Sequence, residues 1–154
     1  SYKKLILYMA YMNTIPGLPV IYYGSEFGMS GATDPDNRRM MRFNENLSDG
    51  EKNTLQQVRQ IINLRKEHSA LRYGDFYTIR ADQKIFAYVR SDANEIILVV
   101  LNKSNNPQEL NFNLPVYYEL KELESLKDKS RIRTEGNTVK FKIDSRDWQV
   151  FILR

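Results

Sequence analysis

The sequence contains no cysteine and only one histidine, His68, among its 154 residues. The absence of cysteine excludes disulfide bonds, thiol nucleophiles and zinc sites with cysteine ligands within the chain. A single histidine excludes a metal site built from several histidines, and a Ser-His-Asp triad would have to use His68. No run of about 18 uncharged apolar residues is present. The sequence therefore predicts no membrane-spanning helix and no membrane partner.

An excess of one charge is also lacking. The chain has 23 lysines and arginines against 19 acidic residues, a formal net charge of +4. Proteins that bind nucleic acids concentrate their basic residues on one face or in one run. Here the densest groups are Arg38, Arg39 and Arg42, and then residues 127–133, where Asp128 interrupts. The scattered charges predict a solvated surface and no nucleic-acid partner.

The first half of the chain is predicted to form a helix, a strand, a loop and a second helix. Residues 4–13 are apolar on almost every helical face, and Pro16 and Gly17 end that helix. Residues 18–23, LPVIYY, are a continuous apolar run, which is typical of a strand buried on both faces. After a polar segment over residues 25–46, Ser48 and Glu51 have the spacing of a capping box. The helix that follows is expected to stop near His68, for which a polar surface or capping role is expected.

The second half is predicted to contain strands only. Strand signals recur every ~8–12 residues, which is the spacing of an antiparallel β-sandwich. The predicted strands are residues 76–80, 84–90, 95–102, 110–114, 117–123, 139–143 and 148–153. Trp148 alternates with Val150 and Ile152, which indicates a core position rather than a sugar platform.

The predicted strand over residues 18–23 raises a physical problem. A strand buried in a parallel sheet needs neighbouring strands to bond its N–H and C=O groups, and the first half offers no other strand. One helix, one strand and one amphipathic helix do not close a layer. The first half is therefore interpreted as the last piece of a larger unit. If it is folded without that unit, we expect self-association, with pairing of this strand between copies as one route.

Three segments resemble the α-amylase family of glycoside hydrolases. Residues 16–26, PGLPVIYYGSE, are similar to the G-x-P-x-I-Y-Y-G-x-E segment on the eighth strand of that family's (β/α)8 barrel. Residues 31–39, GATDPDNRR, resemble its G-x-x-D-P-x-N-R loop, and residues 64–74 resemble the end of its last barrel helix. The first two motifs together are specific. The β half is not recognisable alone, although its pattern fits the family's small antiparallel domain C.

This resemblance implies an α+β composite fold. Residues 1–74 would be a terminal helix-strand-helix segment of a (β/α)8 barrel, and residues 75–154 an antiparallel β-sandwich domain. The parent enzyme would be a retaining hydrolase of α-linked glucans such as starch or maltooligosaccharides, and glucan would reach this chain through the rest of the barrel. Ser25 and Ser69 depart from the family pattern, where Asp and Pro are usual. The family's catalytic carboxylates lie on barrel strands four, five and seven, upstream of Ser1, so no catalytic residue is assigned and the fragment itself is expected to be inactive.

The resemblance points to two substrate-binding residues, Asp34 and Arg38. In the family, the Asp and Arg of D-P-x-N-R bind sugar hydroxyls, and the chemistry suits them. A carboxylate accepts from two vicinal hydroxyls, and a guanidinium donates in a fixed fork. The alternative is that Asp34 and Arg38 only pair with each other and order the loop.

The same region contains further carboxylates and aromatic residues whose roles can be catalytic or structural. Glu26, Asp34 and Asp36 could supply the two carboxylates that glycoside hydrolysis needs, but we expect Glu26 to support the strand end and the aspartates to shape the loop. Calcium is disfavoured because Arg38 and Arg39 follow directly, and no metal or cofactor is predicted. Among the aromatic residues here, only Phe27 is predicted to face a cleft; Tyr22, Tyr23 and Phe43 are the others.

A second interpretation of function remains open. The β half could act as a stand-alone carbohydrate-binding or protein-interaction module. An exposed row of aromatic side chains on one sheet would favour that interpretation.

Overall fold

The structure, a computed structural model, describes residues 2–118 and 120–154. Helical elements come first and strands follow. The helices are α1 (Tyr2–Thr14), α2 (Asp49–Glu67) and α3 (Ser69–Tyr73). The strands are β1 (Asp75–Ala81), β2 (Ile85–Ser91), β3 (Ile96–Asn102), β4 (Gln108–Asn113), β5 (Glu122–Ser125), β6 (Arg131–Arg133), β7 (Thr138–Ile143) and β8 (Trp148–Leu153). Short 3-10 turns lie at Asp36–Arg38, Asn44–Asn46 and Val116–Tyr118.

The strands form two antiparallel sheets. The larger has six strands in the order β1-β2-β3-β8-β5-β6, and the smaller is the pair β4-β7. Strand β3 lies in the middle of the large sheet and is buried along nearly its whole length on both faces. Its sequence, IILVVLN, is apolar except for the final Asn102, and this fits a strand whose two faces pack on different layers. The antiparallel β-sandwich predicted for the second half is confirmed.

The two faces of the large sheet serve two separate cores. One face packs on the small sheet and buries Val89, Leu98 and Val100 with Leu110 and Val139. The other face packs on the helices, and the side chains that share this second core come from α1, α2, α3 and the sheet: Ile6, Met9, Val58, Ile61, Leu71, Tyr88, Val99, Trp148 and Val150. The helices of the first half therefore complete the fold of the second half.

The predicted strand over residues 18–23 is not formed. The structure places α1 before it and α2 after it, but the segment itself is irregular, and Leu18 and Val20 are 93% and 83% exposed. A strand exists only where a neighbour pairs with its backbone, and none does so among the described residues. Pro19 also has no N–H to offer. The helix-strand-helix part of the predicted fold class is thus corrected to two helices joined by an irregular segment.

The second half departs from prediction in two places. The predicted strand over residues 117–123 is replaced by the 3-10 turn Val116–Tyr118 and by β5, which begins at Glu122; Glu119 lies outside the described residues. Strand β6 was not predicted, because its sequence RIR has only one apolar residue and the strand forms by pairing with β5 at the sheet edge. Trp148 is a core residue as predicted, 1% exposed, but it faces the helices and not the small sheet.

His68 has the capping role expected of it. It is the C-cap of α2 and the N-cap of α3, and its backbone N–H donates a hydrogen bond to Leu64 O. Its Nδ1 lies 2.7 Å from Glu95 Oε2, and the other oxygen of Glu95 accepts from the Ala70 N–H at 3.0 Å. One carboxylate therefore ties the α2–α3 junction to the start of β3.

Two buried arginines join the helices to the sheet through backbone carbonyls. Arg90, on β2 and 0% exposed, donates to Thr14 O, Leu71 O, Gly74 O and Asp75 O at 2.6–3.2 Å. Arg65, on α2, donates to Leu71 O at 2.8 Å, Asn13 O at 2.9 Å and Ile15 O at 3.1 Å, and also to Gly17 O. These acceptors lie in the last turns of α1 and α3 or in the few residues that follow them, and carbonyls at a helix C-terminus have no intrahelical partner. We call this arrangement the carbonyl clamp.

Burial of two positively charged guanidinium groups in the clamp has an electrostatic cost. Loss of hydration lowers the pKa of both guanidiniums, and the charge of Arg65 lowers the pKa of Arg90 further. Tyr88 and Asp75 act in the opposite direction on Arg90. The two cations are stabilised by the negative ends of the α1 and α3 dipoles and by charge-assisted hydrogen bonds to carbonyls.

Replacing Arg90 with lysine is expected to lower the free energy of unfolding by about 3 kcal/mol or more. A single ammonium cannot reach all the carbonyls, and each buried acceptor left unpaired costs about 1–3 kcal/mol. Urea unfolding of R90K measures the loss. Arg72, an exposed arginine on α3, supplies the matched control R72K, and equal losses in the two variants would contradict the clamp.

A loop that presents Asp34 and Arg38

The segment between α1 and α2 is ordered by a tight turn at its start. Ser25 N–H donates to Tyr22 O at 3.0 Å, and Met29 N–H donates to Gly24 O at 2.9 Å. Gly24 has φ +83°, and a Cβ there would lie 2.6 Å from the end of the Met29 side chain. Glycine is required at this position because other residues rarely adopt that φ and a side chain would not fit.

An arginine anchors the far end of the loop to α2. The Arg42 guanidinium lies 5.6 Å from the centre of the Phe27 ring and forms an ion pair with Glu51. Glu51 is the N3 residue of α2, and it also accepts from the Ser48 N–H at 2.9 Å while Ser48 Oγ accepts from the Glu51 N–H. The capping box predicted from the sequence is confirmed, and the structure adds Arg42 to it.

Phe27 does not face a cleft, and this prediction was wrong. Its side chain is 1% exposed and lies under Arg42. The aromatic side chains that are exposed near the loop are Tyr22, Tyr23 and Phe43. Tyr23 has a positional role, since its hydroxyl donates to Arg39 O at 3.1 Å.

Asp36 and Arg39 form an internal brace. Arg39 Nε and Nη2 donate to the two oxygens of Asp36 at 2.6 and 2.9 Å, and Asp36 also accepts from the Ala32 N–H at 2.8 Å. The hydrogen bond from Arg39 is the main cause that lowers the pKa of Asp36, followed by the bond from Ala32. A carboxyl group that stays ionised in this way is unsuited to donate a proton as a general acid. Asp36 was expected to shape the loop, but its pairing with Arg39 was not predicted, although an aspartate and an arginine three residues apart are a usable signal.

Asp34 and Arg38 form a second pair, and this one is open to solvent. Arg38 Nε lies 2.9 Å from Asp34 Oδ1, with the side chains 71% and 61% exposed. An exposed ion pair contributes only about 0–1 kcal/mol, so either partner can exchange it for a ligand at little cost. The structure thus brings together the two predicted substrate-binding residues at the surface of a braced loop.

Glu26 is placed differently from Asp34 and Asp36. Its Oε2 is enclosed and has no hydrogen-bond partner among the described residues. Since Asp34 and Asp36 each pair with an arginine, the three carboxylates do not form the free pair that glycoside hydrolysis needs.

Over residues 2–118 and 120–154, no group of three His, Asp or Glu side chains is arranged to hold a metal ion. In the same ranges, no helix is long and apolar enough to cross a membrane.

The geometry defines a class of protein: a β-sandwich covered on one face by helices, with a braced loop that presents an exposed carboxylate and guanidinium. Comparison with known proteins agrees with this class. The family described as Maltogenic Amylase, C-terminal domain, matches residues 76–150. A cyclomaltodextrinase from Geobacillus thermopakistaniensis is 33% identical over 139 residues, which cover 89% of this chain and 23% of that protein. One from Thermoanaerobacter pseudethanolicus is 32% identical over 134 residues, 87% of this chain and 22% of that protein.

Solved structures agree at the level of the whole chain. The α-amylase from Geobacillus thermoleovorans, complexed with acarbose, matches with a TM-score of 0.88 and 29% identity over 99% of this chain and 33% of that one. An Anoxybacillus α-amylase matches with a TM-score of 0.87 and 26% identity. The chain therefore belongs to the α-amylase family and corresponds to a C-terminal portion of such an enzyme. It spans less than a quarter of the length of the two cyclomaltodextrinases.

The anchor at Glu51 predicts a specific dependence of stability on pH. Hydrogen bonds from Arg42 and from the Ser48 N–H lower the pKa of Glu51 from 4.5 to about 2. A carboxyl group whose pKa is depressed in the folded state stabilises fully above its unfolded pKa and loses that stabilisation as the pH falls toward the folded value. Glu51→Gln is therefore expected to cost about 1–2 kcal/mol at pH 7, and the difference from wild type should shrink between about pH 4.5 and 2.

Chemical unfolding at several pH values tests this dependence. Glu45, an exposed acid in the same loop, supplies the control E45Q, for which no such window is expected. A pH-independent loss in E51Q would contradict the assigned cause.

Proposed function

We propose that this chain is the C-terminal part of a retaining glycoside hydrolase that acts on α-linked glucans, such as starch or maltooligosaccharides. Membership of the α-amylase family supports the proposal, as do relatives named cyclomaltodextrinase and an α-amylase structure complexed with acarbose. The observation that carries it is the exposed Asp34–Arg38 pair on a braced loop of a chain from this family. The catalytic carboxylates would come from residues outside this chain, so the chain by itself would not hydrolyse glucans.

In this proposal, residues 1–74 are the end of the catalytic barrel and residues 75–154 are its C-terminal domain. Three features of the first half support that division. Leu18 and Val20 expose almost their whole side chains, the segment around them has no pairing strand among the described residues, and Glu26 keeps one enclosed oxygen without a donor. Neighbouring barrel strands would cover the apolar side chains and pair with that backbone.

Asp34 and Arg38 are proposed to bind sugar hydroxyls. In the free protein each neutralises the other at 2.9 Å. On binding, the carboxylate would accept from vicinal hydroxyls and the guanidinium would donate to a hydroxyl or ring oxygen, so both charges stay hydrogen-bonded. The Asp36–Arg39 brace and the Arg42 anchor hold the loop backbone in place while this exchange occurs.

A stand-alone module is the less favoured interpretation of the β half. One face of its large sheet buries Tyr88, Val99, Trp148 and Val150 against the helices. Without residues 1–74 that face would be an exposed apolar patch, which soluble monomers rarely carry. The shared core favours a domain that works attached to the barrel segment.

Purified alone, the 154-residue chain is expected to release no reducing sugar from maltohexaose. A chimera in which it replaces the corresponding third of the Geobacillus thermoleovorans α-amylase should restore turnover. Activity that is intrinsic to the isolated chain would contradict the proposal.

Within that chimera, Asp34→Ala and Arg38→Ala are each expected to lower kcat/KM for maltooligosaccharides about 10–100-fold, because each removes hydrogen bonds to a charged group. Steady-state kinetics measures the change. Glu45→Gln provides a control in the same loop and should stay within about twofold of wild type. If D34A and R38A behave like E45Q, the pair only orders the loop.

The isolated chain is also proposed to self-associate through residues 18–23, since the exposed apolar side chains and unpaired backbone there suit strand pairing between copies. Sedimentation should detect dimers that the double change Leu18→Lys and Val20→Lys weakens. Val116, as exposed as Val20, supplies the control V116K. A clean monomer in the wild type would contradict this expectation.

A further inference from the structure

A groove of about 450 Å³ lies between α1 and the large sheet, on the sheet face that packs on the helices. Its apolar lining comes from one helix and from two neighbouring strands: Leu7, Tyr8 and Tyr11 of α1, Phe86 of β2 and Leu101 of β3. The volume is that of a site for one small organic molecule. We call it the α1 groove, and nothing in the proposed function uses it.

Regular structure sets the walls of the groove. The apolar α1 residues lie three, four and seven positions after Lys4, so they share one face of the helix. Phe86 and Leu101 are paired in register across β2 and β3, so their side chains share one face of the sheet. The ring centres of Tyr11 and Phe86 lie 6.3 Å apart, and Tyr8 is 55% exposed. The groove is thus an apolar surface open to solvent.

Three cations line the same groove. They are Lys4 on α1, Lys103 directly after β3, and Arg146 in the turn between β7 and β8. Within residues 2–118 and 120–154, none of the three forms an ion pair with a carboxylate, and no described aspartate or glutamate lines the groove. We call these residues the cationic rim, since they add positive charge beside the apolar wall.

Neutral acceptors hold two of these cations in position. Lys103 Nζ donates to Asp82 O at 2.6 Å, and Arg146 Nε donates to Asn105 Oδ1 at 2.6 Å. A carbonyl or amide oxygen orients a cation without cancelling its charge, and both side chains have further N–H donors. The rim is therefore positioned and still able to bind an anion.

A buried asparagine fixes the backbone that carries Lys103 and Arg146. Asn102, 0% exposed, donates through Nδ2 to Asp144 O at 2.8 Å and accepts through Oδ1 from the Ser104 N–H at 3.0 Å. The Arg146 N–H donates to Ser104 O at 3.0 Å. The β3–β4 and β7–β8 connections are thus tied to each other, so an anion can bind without first ordering them.

An apolar wall beside unneutralised cations suits a ligand with an apolar body and an anionic end. The wall along α1, from Lys4 to Tyr11, is about 10 Å long. An alkyl chain of about eight to ten carbons has that length, given C–C bonds of about 1.5 Å. The acyl tails of membrane lipids are longer, since each leaflet contributes about 15 Å to a bilayer core of about 30 Å. A free carboxylate of medium chain length therefore fits the groove better than a bilayer lipid.

We propose that the α1 groove binds one molecule of a free medium-chain fatty acid, with its carboxylate at the cationic rim and its chain along α1. This site goes beyond the proposed function and does not depend on it. A ligand that contacts α1 and the sheet together stabilises the folded arrangement of the two.

Isothermal titration of the 154-residue chain with sodium decanoate, below its micelle concentration, tests the site. Saturable binding of one equivalent is expected. Decyltrimethylammonium has the same chain length and the opposite charge, so it should bind at least about tenfold more weakly. The triple variant K4Q/K103Q/R146Q should lose about tenfold or more in affinity for decanoate, because it removes the charge-assisted hydrogen bonds. The control K52Q/R72Q/K129Q changes three exposed cations outside the groove and should bind like wild type.

Tyr8→Ser tests the apolar wall. Loss of the ring should weaken decanoate binding about fivefold, whereas Tyr73→Ser, at an 80% exposed tyrosine on α3, should have no effect. If a groove variant does not fold, NMR of the wild type gives the answer. The methyl resonances of Leu7 and Leu101 must then shift with added decanoate, and those of Leu110, in the core between the two sheets, must not.

Absence of saturable binding in the wild type, or equal affinities of K4Q/K103Q/R146Q and its control, would overturn the proposal. Residues 18–23 offer another apolar surface, so L18K/V20K should bind decanoate with unchanged affinity, and loss of binding would contradict the α1 groove. The chain should not sediment with phosphatidylglycerol vesicles. Sedimentation that K4Q/K103Q/R146Q abolishes would assign the cationic rim to a membrane surface and overturn the free fatty acid.

The α-amylase chimera described above separates this site from the proposed function. Decanoate should bind to the chimera, and K4Q/K103Q/R146Q should remove that binding. Loss of binding in the unmodified chimera alone would mean that the rest of the enzyme covers the groove, which overturns the proposal. Failure of the chimera to hydrolyse maltohexaose would count against the proposed function and would leave the decanoate titration unaffected.

Discussion

The carbonyl clamp is the constraint on which the arrangement of the molecule depends. Arg65 and Arg90 bring two positive charges into a buried region and satisfy them with carbonyl oxygens at the ends of α1 and α3. Both donate to Leu71 O, so α2, α3 and β2 meet at one acceptor. Hydrophobic contacts between the helices and the sheet would permit sliding, but directional bonds from rigid guanidinium forks do not. The clamp therefore fixes the point from which the loop after α1 begins.

The clamp also holds the helices against one face of the six-stranded sheet, so that the two faces of this sheet pack on different layers. On the helix-facing side, Tyr88 and Trp148 are buried in the core, and Arg90 donates to Gly74 O at the end of α3. The other side packs on β4 and β7. The Tyr88 hydroxyl lies 2.6 Å from Thr14 Oγ1, which places a further polar contact inside the helix-facing core.

Much of this fold could be predicted from sequence, because its signals are local. The capping box at Ser48 and Glu51, the alternation in β7 and the Asp34–Arg38 spacing each report on a few neighbouring residues. The failures concern partners that are distant in sequence. Phe27 is buried, with the Arg42 guanidinium 5.6 Å from its ring centre. Arg90 is a charged residue in an apolar strand, and the sequence around it does not indicate that its acceptor carbonyls lie mostly in and after α1 and α3.

The segment over residues 18–23 shows most clearly why the remainder could not be predicted. Its composition resembles that of β3, and both are continuous apolar runs. In β3 the prediction holds because β2 and β8 pair with its two edges and each face meets a core. Residues 18–23 are also apolar but have no such neighbours among the described residues, and they are irregular and largely exposed. An apolar run thus indicates side chains that are stabilised by burial. It becomes a strand only where other strands form hydrogen bonds with its backbone. The unpaired backbone and the exposed apolar side chains of this segment are the physical reason for our proposal that barrel strands cover it.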